Sequence, residues 1–163
     1  MKKSISTDQS QTDTYWMNLA LKLAKSAEKK GEVPVGAVLI GSDGQILSKS
    51  GNLREKLNSP IAHAEIICLH RAAKKLNSWR LTETTLYVTL EPCPMCAGAI
   101  VQARVGRVVF ATPDPKAGAS GSIYQITNDS RLNHRCHVDS GILADDSAKL
   151  LKDFFKKRRL KNK

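Results

Sequence analysis

The chain holds a thiol pair, Cys93 and Cys96 in Glu91-Pro92-Cys93-Pro94-Met95-Cys96, and an imidazole with a nearby carboxylate in His63-Ala64-Glu65. These residue types at this spacing point to a metal-centred hydrolytic reaction. A Cys-x-x-Cys pair that opens a helix leaves its sulfurs only about 60° apart once whole turns are removed, so both reach one ion. The free N–H groups and positive dipole end of such a helix favour thiolate there, and Pro94 suits the first turn because it has no N–H to satisfy. His63, Cys93 and Cys96 are three ligands, which leave a tetrahedral zinc one open position for water, the pattern of a catalytic rather than a structural site. Glu65 is then the natural general acid/base. On a regular helix His63 and Glu65 would point roughly 200° apart. Both face one cavity only if His63 stands at the helix entrance.

The elements around these residues must bring them together. Residues 85–90 read as a strand running into Glu91-Pro92-Cys93, residues 93–104 as a helix and 105–111 as the next strand, a right-handed βαβ crossover with parallel strands. The thiol pair therefore falls at the carboxyl end of a strand, where sites of open α/β sheets form. A helix over 62–76 has His63 at its mouth, while Cys68 and His70, more than a turn along it, belong to packing or surface. Residues 35–40 and 45–50 flank Gly41-Ser42-Asp43-Gly44 as a hairpin, and Asn52 follows the second strand. Upstream, Trp16, Leu19, Ala20, Leu23 and Ala27 mark an amphipathic helix that begins near Asp13.

Beyond the crossover, residues 114–122 form a Gly- and Ser-rich loop. A short strand near 134–138 carries His134 and Cys136 on one face and His137 on the other, so the three are not read as a second metal site. A last helix over 145–160 turns Leu150, Leu151, Phe154 and Phe155 inward and ends in Lys156, Lys157, Arg158, Arg159, Lys161 and Lys163. Beside a substrate site that run becomes a phosphate-binding patch.

Composition narrows the class. The 163 residues form one domain over 13–163, preceded by a polar, flexible segment over 1–12. With 26 Lys and Arg against 15 Asp and Glu, the formal net charge of +11 favours an anionic partner, nucleic acid first. Four cysteines in a chain this long make no disulfide scaffold and fit a reducing cytoplasm. No apolar run is long enough for a signal peptide core or a membrane span. A soluble intracellular protein is expected.

Taken together, Ala62-His63-Ala64-Glu65, Pro92-Cys93-Pro94-Met95-Cys96, Glu32-Val33-Pro34-Val35-Gly36-Ala37-Val38, residues 86–93, Gly106-Arg107-Val108-Val109-Phe110, Asp114-Pro115-Lys116 and Asp153-Phe154-Phe155 resemble the bacterial tRNA-specific adenosine deaminases of the zinc-dependent deaminase superfamily. The resemblance covers about residues 16–159. It implies a three-layer α/β/α fold with a mixed five-stranded central sheet, and a homodimer with one Zn2+ per subunit. The implied reaction converts the wobble adenosine of a tRNA anticodon stem-loop to inosine. His63, Cys93 and Cys96 would hold zinc and Glu65 would shuttle the proton. Asn52 and Ala64 would contact the base, while Asp114, Lys116, Phe154, Arg158 and Arg159 would lie along the anticodon loop. Two rivals share these motifs: a zinc deaminase of a free base or nucleotide such as cytosine, cytidylate or guanine, and a non-enzymatic zinc-stabilised RNA-binding module.

Overall fold

Period-two alternation of apolar residues divides the core between two faces of one sheet. The computed structural model describes residues 7–162; residues 1–6 of the expected lead-in and Lys163 of the basic tail lie outside the described residues. Its strands β1 (Gly36–Ile40), β2 (Ile46–Gly51), β3 (Thr85–Leu90), β4 (Arg107–Thr112) and β5 (His137–Ser140) join in the order β2-β1-β3-β4-β5. β1 runs antiparallel to β2 and β3, whereas β3, β4 and β5 are parallel. This is the mixed five-stranded α/β sheet that the resemblance implies.

Ala37, Leu39, Leu86, Val88, Val108 and Phe110 pack on one side with Cys68, Leu69 and Ala72 of α3 (Ala64–Leu76) and Ile100 of α4 (Pro94–Gln102). Val38, Ile40, Tyr87, Val109 and Ala111 pack on the other with Met17 and Ala20 of α1 (Thr7–Lys29). Because the central strands are covered on both faces, they read as nearly continuous apolar runs. At Gly36 a Cβ would stand 2.0 Å from the Ala20 carbonyl oxygen, so only glycine lets α1 lie this close to β1. The last helix, α5 (Ala144–Lys161), packs on β3 and β4 and touches α1. No helix among the described residues is long and apolar enough to cross a membrane.

Three elements differ from the sequence expectation. First, α1 starts at Thr7 rather than Asp13, so residues 7–12 are helical instead of a flexible lead-in. Residues 8–12 are polar and exposed, which removes them from apolar periodicity, yet Gln9 Nε2 donates to Asp13 Oδ1 across one turn at 3.0 Å. Asp13 itself is sealed from solvent: Arg107 donates to both its oxygens at 2.8 Å and the Tyr87 hydroxyl to one at 2.8 Å. Burial alone would raise the Asp13 pKa, but the bonds from Arg107, Tyr87 and Gln9 hold it below the ordinary carboxylate value. Arg107 Nε also reaches Asp139 at 2.7 Å, which ties α1, β3, β4 and β5 into one ionic latch.

Second, β5 begins at His137, later than the 134–138 span, because Cys136 turns into the core and His134 bonds the Val105 carbonyl at 2.7 Å before the ladder starts. Third, periodicity gives no sign of α2 (Arg54–Leu57), whose four residues bury none of their side chains. Glu32, itself buried, holds it from below by accepting the N–H groups of Glu55 and Lys56 at 3.1 and 2.8 Å.

Candidate active site

The carboxyl end of β3 and the mouth of α3 converge beside the ends of β2 and β4. His63 is the N-cap of α3 in extended backbone conformation (φ −73°, ψ 153°), so it stands at the helix entrance and shares a cavity with Glu65 one residue inside. Cys93 is the N-cap of α4, Pro94 occupies the first turn and Cys96 follows within it. His63 Nδ1 lies 3.6 Å from the Cys93 sulfur and 3.5 Å from that of Cys96, and the three ligand atoms lie within 4.8 Å of one another. Metal–sulfur bonds of about 2.3 Å and metal–nitrogen bonds of about 2.0–2.1 Å at tetrahedral angles separate nitrogen and sulfur by roughly 3.5 Å. The donor set and its spacing therefore fit a tetrahedral cation. Among the described residues no other three His, Cys, Asp or Glu side chains gather in this way.

The electrostatics of these groups follow from their contacts. Contact with Cys96, then His63, holds the Cys93 thiol down to about 4 against its burial. Cys96 is pushed up, first by its contact with Cys93 and then by burial. A cation held between them would supply the charge that lets both sulfurs ionise. The bond to Cys93 raises His63 above its ordinary value despite burial. Glu65, only 4% exposed, is pushed up to about 7 chiefly by burial, which its own backbone N–H and His63 oppose.

The cavity encloses about 210 Å³, and Val33, Val35, Asn52, Arg54, Ala64, Leu90, Glu91, Asp114, Ala117 and Phe155 complete its lining. That volume is below the roughly 300–1,000 Å³ of sites for drug-sized ligands and suits one heterocyclic ring. A larger apolar groove of about 530 Å³, lined by Ile66, Leu69, Trp79, Leu81 and Ala103 among others, runs between α3 and α4 and includes none of the metal-site residues.

Of the residues expected at the substrate, Asn52, Ala64 and Asp114 line the cavity, and Asn52 is buried with its Oδ1 accepting the Arg54 N–H at 3.3 Å. Lys116 and Arg159 are exposed and do not line it. Arg158 sits 3.8 Å from Glu55 of the neighbouring α2. Phe154 departs from expectation. It is buried at 8% exposure, whereas Phe155, read as inward-facing, is 42% exposed and lines the cavity. Adjacent residues on a helix differ by about 100°, so only one of the two rings faces the core. Cys68 is buried in the core and His70 is exposed.

Sequence reasoning missed the buried organisers. Glu91 is 2% exposed and accepts the N–H groups of Asp114, Ser120 and Ser122 at 2.9, 3.0 and 2.9 Å, together with the Ser122 hydroxyl. Burial raises its pKa, but these four donors outweigh it and leave the carboxyl below its ordinary value. An acidic residue that closes an apolar strand just ahead of the thiol pair was the available signal, and it did not point to the loop 23 to 31 positions downstream. Arg54 gave none.

Comparisons with known proteins agree with this geometry. The MafB19-like deaminase family matches residues 11–159. A tRNA-specific adenosine deaminase of Bacillus subtilis (strain 168) is 49% identical over 151 residues, 93% of each chain. A solved structure from a study of A-to-I editing by tRNA:A34 deaminases at the wobble position of transfer RNA superposes with a TM-score of 0.81 at 43% identity, covering 85% of this chain and 99% of that one. A Bacillus subtilis guanine deaminase superposes with a TM-score of 0.61 at 33% identity, over 72% and 71% of the two chains.

Proposed function

This chain belongs to the MafB19-like deaminases and to the tRNA-specific adenosine deaminases among its relatives, and from that premise we propose that it converts the wobble adenosine of a tRNA anticodon stem-loop to inosine with release of ammonia. One observation carries the reading: His63, Cys93 and the buried Glu65 line one cavity of single-base size, and Cys96 completes the ligand cluster with His63 and Cys93. In this reading His63, Cys93 and Cys96 hold one zinc ion per subunit, which supplies Lewis-acid activation of water when bound. Glu65 takes a proton from the attacking water and delivers it to the ring nitrogen beside C6. It then takes the second proton from the hydroxyl newly bonded to C6 and passes it to the departing amino group as the C–N bond breaks, so that water and adenosine give inosine and ammonia in balance.

Asn52 and the Ala64 backbone orient the base, Phe155 and Asp114 border its neighbours, and Lys116, Arg158 and Arg159 meet phosphates. A base already unstacked in an anticodon loop enters such a cavity at little cost. We assign the catalytic unit to the single domain that runs from α1 to α5 and place it in the cytoplasm, where reduced thiols persist. The exposed Trp79 and the apolar groove beside it offer the face for a homodimer.

The test compares purified, zinc-loaded protein on an anticodon stem-loop carrying a wobble adenosine with free adenosine, cytidine and guanine. Inosine from the stem-loop alone is expected. Turnover of a free base alone would transfer the site to the guanine deaminase branch. Zinc binding with turnover of none of these substrates would favour the RNA-binding module.

A further inference from the structure

The loop over 114–122 forms one wall of the cavity through Asp114 and Ala117, and it has no strand or helix of its own apart from a single bridge between Ser120 and Gln125. Its shape is held instead from inside. Glu91 Oε1 accepts the N–H groups of Ser120 and Ser122, while Oε2 accepts the N–H of Asp114 and the hydroxyl of Ser122. Pro92 adds its carbonyl to the Ala119 N–H at 2.8 Å. At Gly118 a Cβ would fall 2.3 Å from Glu91 Oε2 and 2.5 Å from the Asp114 carbonyl oxygen, so the loop closes over the carboxylate too tightly for any side chain there.

We propose that Glu91 is the positioning residue that sets the wall of the substrate cavity, and thereby the fit of the nucleotides that flank the reacting base. The inference rests on the site being an RNA deaminase site. Glu91 touches neither the reacting base nor the water in this role. It lies two residues before Cys93, so one short stretch of chain ties the wall to the thiol pair. A carboxylate suits this place because every group aimed at it is a donor, and an ion-to-dipole bond is stronger than a neutral one. A wall formed before substrate arrives removes an ordering cost from binding.

Glu91→Gln is the direct test, because its amide would turn an NH2 group toward the Ser120 and Ser122 N–H groups in one orientation and toward the Asp114 N–H in the other. On the stem-loop, KM should rise about 10- to 100-fold while kcat falls by less than about threefold, the size expected from losing hydrogen bonds to a charged group. Bound zinc per subunit should match the parent protein. Amides of Ser120 and Ser122 should exchange hydrogen faster in the variant, and the α4 amides should not. Gly118→Ala, which crowds the carboxylate without removing it, should give the same KM defect, and the double variant should be no worse than the more severe single one. Unchanged KM with unchanged exchange would overturn the proposal, as would zinc loss or a collapse of kcat at constant KM. If the parent protein makes no inosine from the stem-loop, the RNA reading fails by itself. The exchange at Ser120 and Ser122 still decides whether Glu91 holds the wall.

Discussion

Glu65 and Glu91 border the same cavity, and both are almost sealed from solvent, yet their surroundings drive them in opposite directions. Around Glu65 burial prevails and the carboxyl is pushed up to about 7. Around Glu91 four loop donors prevail and the carboxyl stays ionised. Burial does not by itself determine what a buried acid does; the number of donors aimed at it does. Helix entrances build the floor with Glu65 and the candidate metal ligands, where the proposed chemistry takes place. The wall with Glu91 is loop, and it determines what fits.

The largest effect that would sharpen this division comes from the floor. Cys96→Ser should remove the metal and lower turnover on the stem-loop by at least about 1,000-fold, since Lewis-acid activation is worth several kcal/mol, while a binding assay still registers the RNA. Retained turnover in the metal-free variant would erase the distinction. A smaller effect belongs to the rim: replacing both Arg158 and Arg159 with Ala should weaken stem-loop binding and reduce the slope of log affinity against log salt by up to about 1.4, roughly 0.7 for each phosphate that is no longer neutralised. Equal slopes would remove those side chains from the interface.

The smallest effect on the site is expected from the Asp13 latch, which sits on the opposite face of the sheet. Because the folded-state pKa of Asp13 lies below its ordinary value of 3.8, its ionic bonds stabilise the fold fully above that pH. That contribution is lost as pH falls further, through the lower folded value. Asp13→Asn should lower the melting temperature at neutral pH by roughly 6–20 °C, from breaking a buried pair, and the gap to the parent protein should narrow in acid. At 20 °C its kcat/KM should match the parent. A large loss of turnover in folded Asp13→Asn protein would mean that the latch reaches the site.

What was legible in the sequence was local. Cys93, Cys96, His63 and Glu65 are close in sequence to strand ends and helix mouths, and the βαβ crossover and hairpin carry their own periodicity and turn residues. The organisers were not legible because their partners are distant: Glu91 meets residues 23 to 31 positions downstream, and Asp13 meets Arg107 across 94. No spacing rule connects such pairs. Phe154 and Phe155 failed for a different reason, since two adjacent rings at the end of an amphipathic helix satisfy the apolar pattern equally until neighbouring elements determine which one is covered. The polar first turns of α1 carry no apolar signal at all.

The most direct measurement is made on Glu65→Gln, with zinc content, stem-loop affinity and inosine formation determined on one preparation. Zinc and affinity close to those of the parent protein are expected, with turnover reduced by roughly 100- to 10,000-fold, the range for loss of a positioned acid/base. Turnover near the parent level with zinc in place would contradict this role of Glu65, because the proton would then have another carrier.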